Sequence, residues 1–138
     1  MNELNVRAIL IGSLVDTAGT IVAGFAFYAA VGVAYGAVSP DEQIAAVDAS
    51  ATLQLAQLAL GLALTAAGAY VAAFIARGAE RPNAFAVGVI STLIGFLFVF
   101  SAPDTSPFWA VAAGLILTIP AAFVGGEVRR SQVGGPQA

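Results

Sequence analysis

The sequence predicts an all-α integral membrane protein. It is expected to form a four-transmembrane-helix bundle, N-in/C-in, with an extra amphipathic helix in the first outer loop. Two observations carry this. Of 138 residues, 59% are hydrophobic and 9% charged, with a mean hydropathy of +0.92, where a soluble domain would carry about a quarter charged residues. The positive side chains also sort to one side of the apolar runs. Arg7 precedes the first, Arg77 and Arg81 flank the turn between the second and third, and Arg129 and Arg130 follow the fourth. The other two connections hold Asp41, Glu42, Asp48 and Asp104 and no positive residue. Arginine resists translocation, so the arginine-bearing ends are expected in the cytoplasm.

The elements follow in order, within a single domain over residues 1–130. The first span covers about residues 8–35, longer than the ~20 residues that cross the hydrocarbon and longer than a leader peptide's core. Ser39-Pro40-Asp41-Glu42 then combines an N-cap serine, a first-turn proline and two acids, the chemistry that favours a helix start. Ile44, Val47 and Ala51 recur at helical spacing, so about residues 40–50 read as a helix on the outer surface, one that can run unbroken into the second span. That span covers about residues 52–75. Arg77-Gly78-Ala79-Glu80-Arg81-Pro82-Asn83 makes a tight turn, which sets spans two and three antiparallel. The third span covers residues 84–100. Ala102 to Ser106 break it, Ser106-Pro107 opens the next helix, and Phe108 and Trp109 suit an interfacial aromatic belt. The fourth span, 108–126, carries Pro120, which frees the Ile116 carbonyl and favours a kink. Gly125-Gly126 is read as its end, and residues 131–138 as a disordered tail. The two halves have the same in–out–in course, a layout that permits duplication.

Chemistry is sparse. The chain has no His and no Cys, which removes thiol chemistry and the usual zinc and haem ligands. No metal site, cofactor site or catalytic residue is expected, and the absence of paired carboxylates argues against an enzyme. No basic face exists for nucleic acid.

Asp16 is the exception. An ionised Asp near the centre of a span costs roughly 2.5–3.5 kcal/mol, and such residues are by default functional. The cost predicts that Asp16 faces the bundle or carries a proton. Counting an equal rise from the arginine-bearing end reaches Gly68, Ser91 and Thr92, and Thr118 on the other spans. Ser13, Thr17 and Thr20 lie within about a turn of Asp16, and Thr65 within a turn of Gly68. Asp16, Thr17, Thr20, Thr65, Ser91, Thr92 and Thr118 are therefore the candidate ion, proton or polar-core site. The alternative reading is structural, a hydrogen-bonded Asp that specifies packing.

Gln54 and Gln57 are a candidate polar pair at the outer end of span two, more simply read as interfacial residues. Gly61 and Gly68 of span two, and Gly88 and Gly95 of span three, are candidate packing positions whose stripes are expected to meet in the hairpin. Phe96, Phe98 and Phe100 read as lipid-facing or packing residues rather than a ligand cage.

The stretch Ala67-Gly68-Ala69-Tyr70-Val71-Ala72-Ala73-Phe74-Ile75-Ala76-Arg77-Gly78, a short polar turn and then a Gly/Ser-bearing span resembles small four-span bacterial membrane proteins of the domain-of-unknown-function type. That resemblance covers spans two and three and implies a fold but no activity. A looser one, to small multidrug resistance transporters, rests on four spans with an acid in the first. The aromatic residues that those transporters place around the site in later spans are not evident here.

The functional expectation is a non-enzymatic interaction or accessory role in a bacterial cytoplasmic (inner) membrane, as a homo-oligomer or beside a partner membrane protein. The runner-up is a small oligomeric transporter or channel that handles a proton, ion or small solute through Asp16.

Overall fold

The computed structural model describes residues 3–101 and 107–133. Every regular element among them is helical: α1 Val6–Tyr35, α2 Pro40–Asp48, α3 Ala51–Ile75, α4 Glu80–Ser101 and α5 Phe108–Val133. Four of these, α1, α3, α4 and α5, are long and apolar enough to cross a membrane. The break at Ala102–Ser106, including the Ser106 helix start, and the tail beyond residue 133 lie outside the described residues.

Local chemistry sets the helix ends. Asn5 caps α1, its side chain accepting from the Ala8 amide at 3.1 Å, and Gly36 closes it at φ 69°, a left-handed conformation that glycine adopts without a Cβ penalty. At α2, Ser39 Oγ accepts from the Glu42 amide, and Glu42 Oε2 accepts from the Ser39 and Val38 amides at 3.0 and 2.8 Å. This reciprocal capping box satisfies several orphan donors of the first turn. The amides of Ser39 and Val38 hold the Glu42 carboxyl below its ordinary value of 4.5.

Three boundaries differ from the sequence expectation. The amphipathic helix does not continue into the second span, because Ala49 closes α2 and Ser50 starts α3 by accepting from the Leu53 amide at 3.3 Å. The third long helix starts at Glu80 rather than residue 84, since Pro82 sits in a first turn whose amides have no intrahelical partner to lose. The last helix runs through Gly125-Gly126 to Val133, so residues 131–133 are helical rather than tail. Those two glycines serve packing: a Cβ on Gly125 would strike the Ala66 backbone of α3, and one on Gly126 would strike Ala84 of α4.

Side-chain contacts give the topology. Asn5 meets Asn83, Gly12 meets Val87 and Asp16 meets Ser91, so α1 and α4 run parallel. Gly12 also meets Gly68, and Tyr28 meets Gln57, so α3 is antiparallel to α1. Gly126 meets Ala84 and Gly95 meets Leu115, so α5 is antiparallel to α4. Both ends of the described chain therefore lie at the same end of the bundle as the Arg77–Arg81 turn, and α2 lies at the other. We call these the arginine end and the acidic end. Helices α3 and α4 are the shared diagonal; α1 and α5 make no contact with each other among the described residues.

The bundle is packed unequally along its length. At the arginine end, Ile9, Ala69, Ala72, Ala84, Val87 and Ala122 form the buried core. Small side chains let the backbones close in there, which in lipid supplies the packing that apolar burial cannot. A Cβ on Gly12 would lie 2.6 Å from the Gly68 carbonyl oxygen and 2.7 Å from Ala72 Cβ. Ion pairs of Glu127 with Arg81 and Arg130 fasten the same end. Asn83, fully buried, accepts from the Asn5 amide at 2.7 Å and donates to the Ala79 carbonyl at 2.7 Å. Beyond Asp16 towards the acidic end, by contrast, the only buried residue of α1 is Val31, and α4 has none beyond Gly88.

The glycine stripes of α3 and α4 do not meet each other, contrary to expectation. Gly68 packs on Gly12 and Asp16 of α1, and Gly88 on Ile119 and Ala122 of α5, while Gly61 faces open space. The hairpin turn makes α3 and α4 neighbours, but their smallest faces point to the outer helices of the rhombus.

Two outcomes follow. Gly12→Ala should lower the melting temperature in mild detergent, at a cost of about 1–3 kcal/mol for overpacking. Gly24→Ala, whose Cβ enters open space, should leave it unchanged or raise it; equal effects at both sites would sink the close-crossing account. Glu42 titrates below its ordinary value in the folded state, so its cap is fully present above pH 4.5 and is lost as pH falls through the lowered value. Amide exchange at Val38 and Ser39 should accelerate over that acid range, and Glu42→Gln should flatten the dependence.

Candidate functional site

The site begins with one residue. Asp16 is 4% exposed on α1, directly beside the backbone of Gly68, where a Cβ would lie 2.8 Å from Asp16 Cβ. That close approach brings α3 within reach of the carboxyl. Thr65 Oγ1, one turn along α3, donates to Asp16 Oδ1 at 3.1 Å. Ser91 Oγ of α4 donates to Asp16 Oδ2. Both carboxyl oxygens are thus engaged, each from a different helix. Hydrogen bonds to a charged acceptor are worth about 1.5–3 kcal/mol each, of the same order as the roughly 2.5–3.5 kcal/mol that an ionised Asp costs near the centre of a span.

Asp16 sits at the closed end of a cavity of about 350 Å³. Thr17, Thr20, Thr65, Ser91 and Thr118 give its floor a hydroxyl-rich surface on all four long helices. Ile21, Leu58, Leu62, Ile94, Phe98 and Val111 form apolar walls, and Asp48, Gln54 and Gln57 stand at the acidic end. Gly61 and Gly95 line it too; their missing side chains leave part of the space. Below the floor lies the tight Gly/Ala packing of the arginine end.

The sequence-selected residues divide cleanly. Thr65 and Ser91 hold the carboxylate. Thr17, Thr20 and Thr118 line the cavity without bonding to Asp16. Thr92 donates to the Gly88 carbonyl at 2.8 Å and does not line the cavity, and Thr118 likewise donates to the Gly114 carbonyl at 2.6 Å. Such back-bonding satisfies a hydroxyl within its own helix and withdraws its proton from the site.

Gln54 differs from the simple interfacial reading, whereas Gln57 is exposed as that reading expects. Gln54 is buried and donates to the Asp48 carbonyl at 2.8 Å, pinning α2 to α3. Gln57 donates to Tyr28 Oη at 3.2 Å and bridges α1 and α3 at the mouth. Phe96, Phe98 and Phe100 are exposed, as lipid-facing residues are, although Phe98 also forms part of the wall.

Three contributors escaped the sequence reading. The sequence places Asp48 on the surface helix only, whereas it lines the mouth. Tyr28 carried no signal beyond its place near the end of α1. Asn83 read as a turn residue, and only its burial shows that it fastens the N-terminal segment.

Electrostatically the cavity has one sign. Its two ionisable residues are Asp16 and Asp48, and all five arginines of the chain sit in the segments at the opposite end. A low-dielectric cleft lined by one sign of charge concentrates the opposite sign, so the site suits cations. No cluster of three or more carboxylates exists among the described residues to chelate a multivalent metal.

No family model, curated protein or solved structure matches the chain. The functional reading rests on this geometry alone.

Because the chain lacks cysteine, single-cysteine labelling is clean. Gly61→Cys, on the open wall of the cavity, should react with a membrane-impermeant maleimide added from the acidic side. Ala72→Cys, in the closed half, should not. An unreactive Gly61 position would mean that the cavity is shut off from water.

Proposed function

We propose that this protein is a small carrier or channel subunit that takes a proton or small cation from the acidic side and holds it at Asp16. It sits in a bacterial cytoplasmic membrane with both termini and all arginines inside and α2 on the outer surface. The observation that supports this best is the position of Asp16, buried and hydrogen-bonded yet lining the inner end of a cavity that extends to Asp48, Gln54 and Gln57 at the acidic end. A carboxyl needed only to fix packing gains nothing from lining such a space. The accessory role anticipated from the sequence gives such a cavity no use.

The proposed cycle is short. An external cation is drawn in by Asp48 and Asp16, passes an apolar wall too weakly polar to trap it, and displaces Thr65 or Ser91 from the carboxylate. Release inward requires the Gly/Ala contacts of the arginine end to loosen. Self-association in the membrane is part of the reading: Gly24 of α1 has nothing packed on it, and in lipid such small-residue faces are where helices meet.

Asp16→Asn tests the proposal. The amide keeps the shape and one acceptor, so the folded protein should be recovered from detergent as a species of the same size. In proteoliposomes, proton- or cation-driven flux should fall to the empty-vesicle level. Wild type without flux above that level, co-purifying instead with a stoichiometric partner membrane protein, would overturn the proposal in favour of an accessory role.

A further inference from the structure

The cavity beyond Asp16 also reaches the side of the bundle. Asp16 and Ser91 join α1 to α4. One turn on, the same faces carry Thr20 on α1 and Ile94 and Gly95 on α4, with Phe98 a turn further out. These residues line the cavity, yet Thr20 is exposed, and Ile21 and Phe98 are 49% and 59% exposed. Side chains that line a cavity and still meet the surroundings mark where it reaches the surface.

Packing points to the same place. Beyond Asp16, α1 leans on α3 and α2, with Gly19 against Leu64, Tyr28 on Gln57 and Gly32 against Gln43. Gly95 of α4 instead faces Leu115 of α5. The two helices are drawn to different partners, and a cleft between them runs from the level of Asp16 towards the acidic end. In a membrane that cleft opens onto the acyl chains of one leaflet.

A bare ion would use only the inner end of this space. A volume of about 350 Å³ with apolar walls falls within the roughly 300–1,000 Å³ of sites that hold organic ligands by a few placed polar groups. The groups at the inner end are a carboxylate and hydroxyls, all able to accept N–H bonds, and a primary ammonium offers three such donors. Phe98 is the one aromatic residue among those lining the cavity, so no aromatic cage is present for a quaternary ammonium.

We propose that the ligand is an amphiphilic primary amine, its ammonium group seated at Asp16 and its hydrocarbon chain lying in the cleft between α1 and α4. The inference rests on the reading of Asp16 as the cation-holding group and names the class of cation. The head enters at the mouth past Asp48, while the chain stays in apolar surroundings beside Ile21, Ile94 and Phe98. The charge is thus never carried through bare hydrocarbon, and the chain is never carried through water.

The test uses the full chain in lipid nanodiscs, with ligand amounts expressed per lipid so that partition into the bilayer cancels. Melting temperature is followed against decylamine, with decanol, decyltrimethylammonium and methylamine as comparators. Decylamine should stabilise wild type saturably, with a midpoint about tenfold or more below that of decyltrimethylammonium; decanol should not stabilise it. Asp16→Asn should abolish the decylamine effect. Gly61→Leu, at a cavity-lining position where an added Cβ meets nothing within 4 Å, should fold as wild type and need about tenfold more decylamine. Decylamine with a photoactivatable diazirine in mid-chain should label α1 and α4 around Ile21 and Phe98, which decides the matter even if Asp16→Asn folds poorly. Equal midpoints for the primary and quaternary amines, stabilisation by decanol, or adducts on α3 or α5 alone would overturn the inference. If methylamine or a change of pH acts through Asp16 and decylamine does not, this inference falls and the carrier reading stands. If no cation and no change of pH acts through Asp16 and flux is absent, both fall.

Discussion

The close crossing of α1 and α3 at Gly12 and Gly68 is the constraint on which the rest depends. With no side chain on either residue the backbones meet, and Asp16, one turn further, is pressed against α3 rather than left facing lipid. The cavity begins beyond that crossing, where α3 and α4 carry Gly61 and Gly95 along its wall. Small residues that let the backbones close in at the arginine end leave space where no neighbour fills it.

That geometry also decides how the carboxylate is accommodated. In water each hydroxyl on these helices would be interchangeable. In a bundle only those reached by the Asp16 oxygens count, and the two that qualify come from α3 and α4, so the carboxylate ties three helices at one level. The remaining threonines are satisfied by their own backbones or face the cavity. A polar layer of this kind gives register to helices whose surfaces are otherwise nearly uniform in Gly, Ala and Leu. It resists sliding because a shift of one turn would strand a charge-bearing group in hydrocarbon.

Much of this was legible from residue order. Counting equal depth from the arginine-bearing end placed Gly68, Ser91 and Thr118 at the level of Asp16, and all three meet Asp16 or line its cavity. The count works because helix rise is constant and the spans start near a common plane. Partner choice was not legible. Gly68 and Gly88 each carry a small face, but nothing local says whether that face meets the hairpin neighbour or a helix distant in sequence; it is the rhombic arrangement, with α3 and α4 as the diagonal, that turns them towards α1 and α5. Gly125-Gly126 misled for a related reason, since the residue that often ends a helix is also the one that allows the closest contact between two. Hydroxyl assignment was out of reach as well: Thr92 is equivalent to Ser91 by depth, and only the direction of the side chain separates a ligand of Asp16 from a residue bonded to its own helix.

Pro120 gives the two halves of the molecule a physical boundary. It lies between Thr118, which lines the cavity, and Ala122, which belongs to the buried core. As proline it donates no hydrogen bond to Ile116, so the ladder of α5 is interrupted where the packing changes from open to closed. Bending α5 there breaks no further backbone bond, whereas bending at Gly125 and Gly126 would; either movement lifts those glycines off Ala66 and Ala84. Helix α1 offers no comparable point: it is uninterrupted from Val6 to Tyr35 and held at its start by Asn83. A movement of the part of α5 beyond Pro120 away from α3 would leave α1, and Asp16 with it, in place, but would break the Arg81–Glu127 ion pair and the Tyr70–Gln132 hydrogen bond. Such a movement would uncover the floor of the cavity beside α3 and α4, where Thr65 and Ser91 hold the carboxylate, and would leave the acidic-end bridges of Gln54 and Gln57 intact.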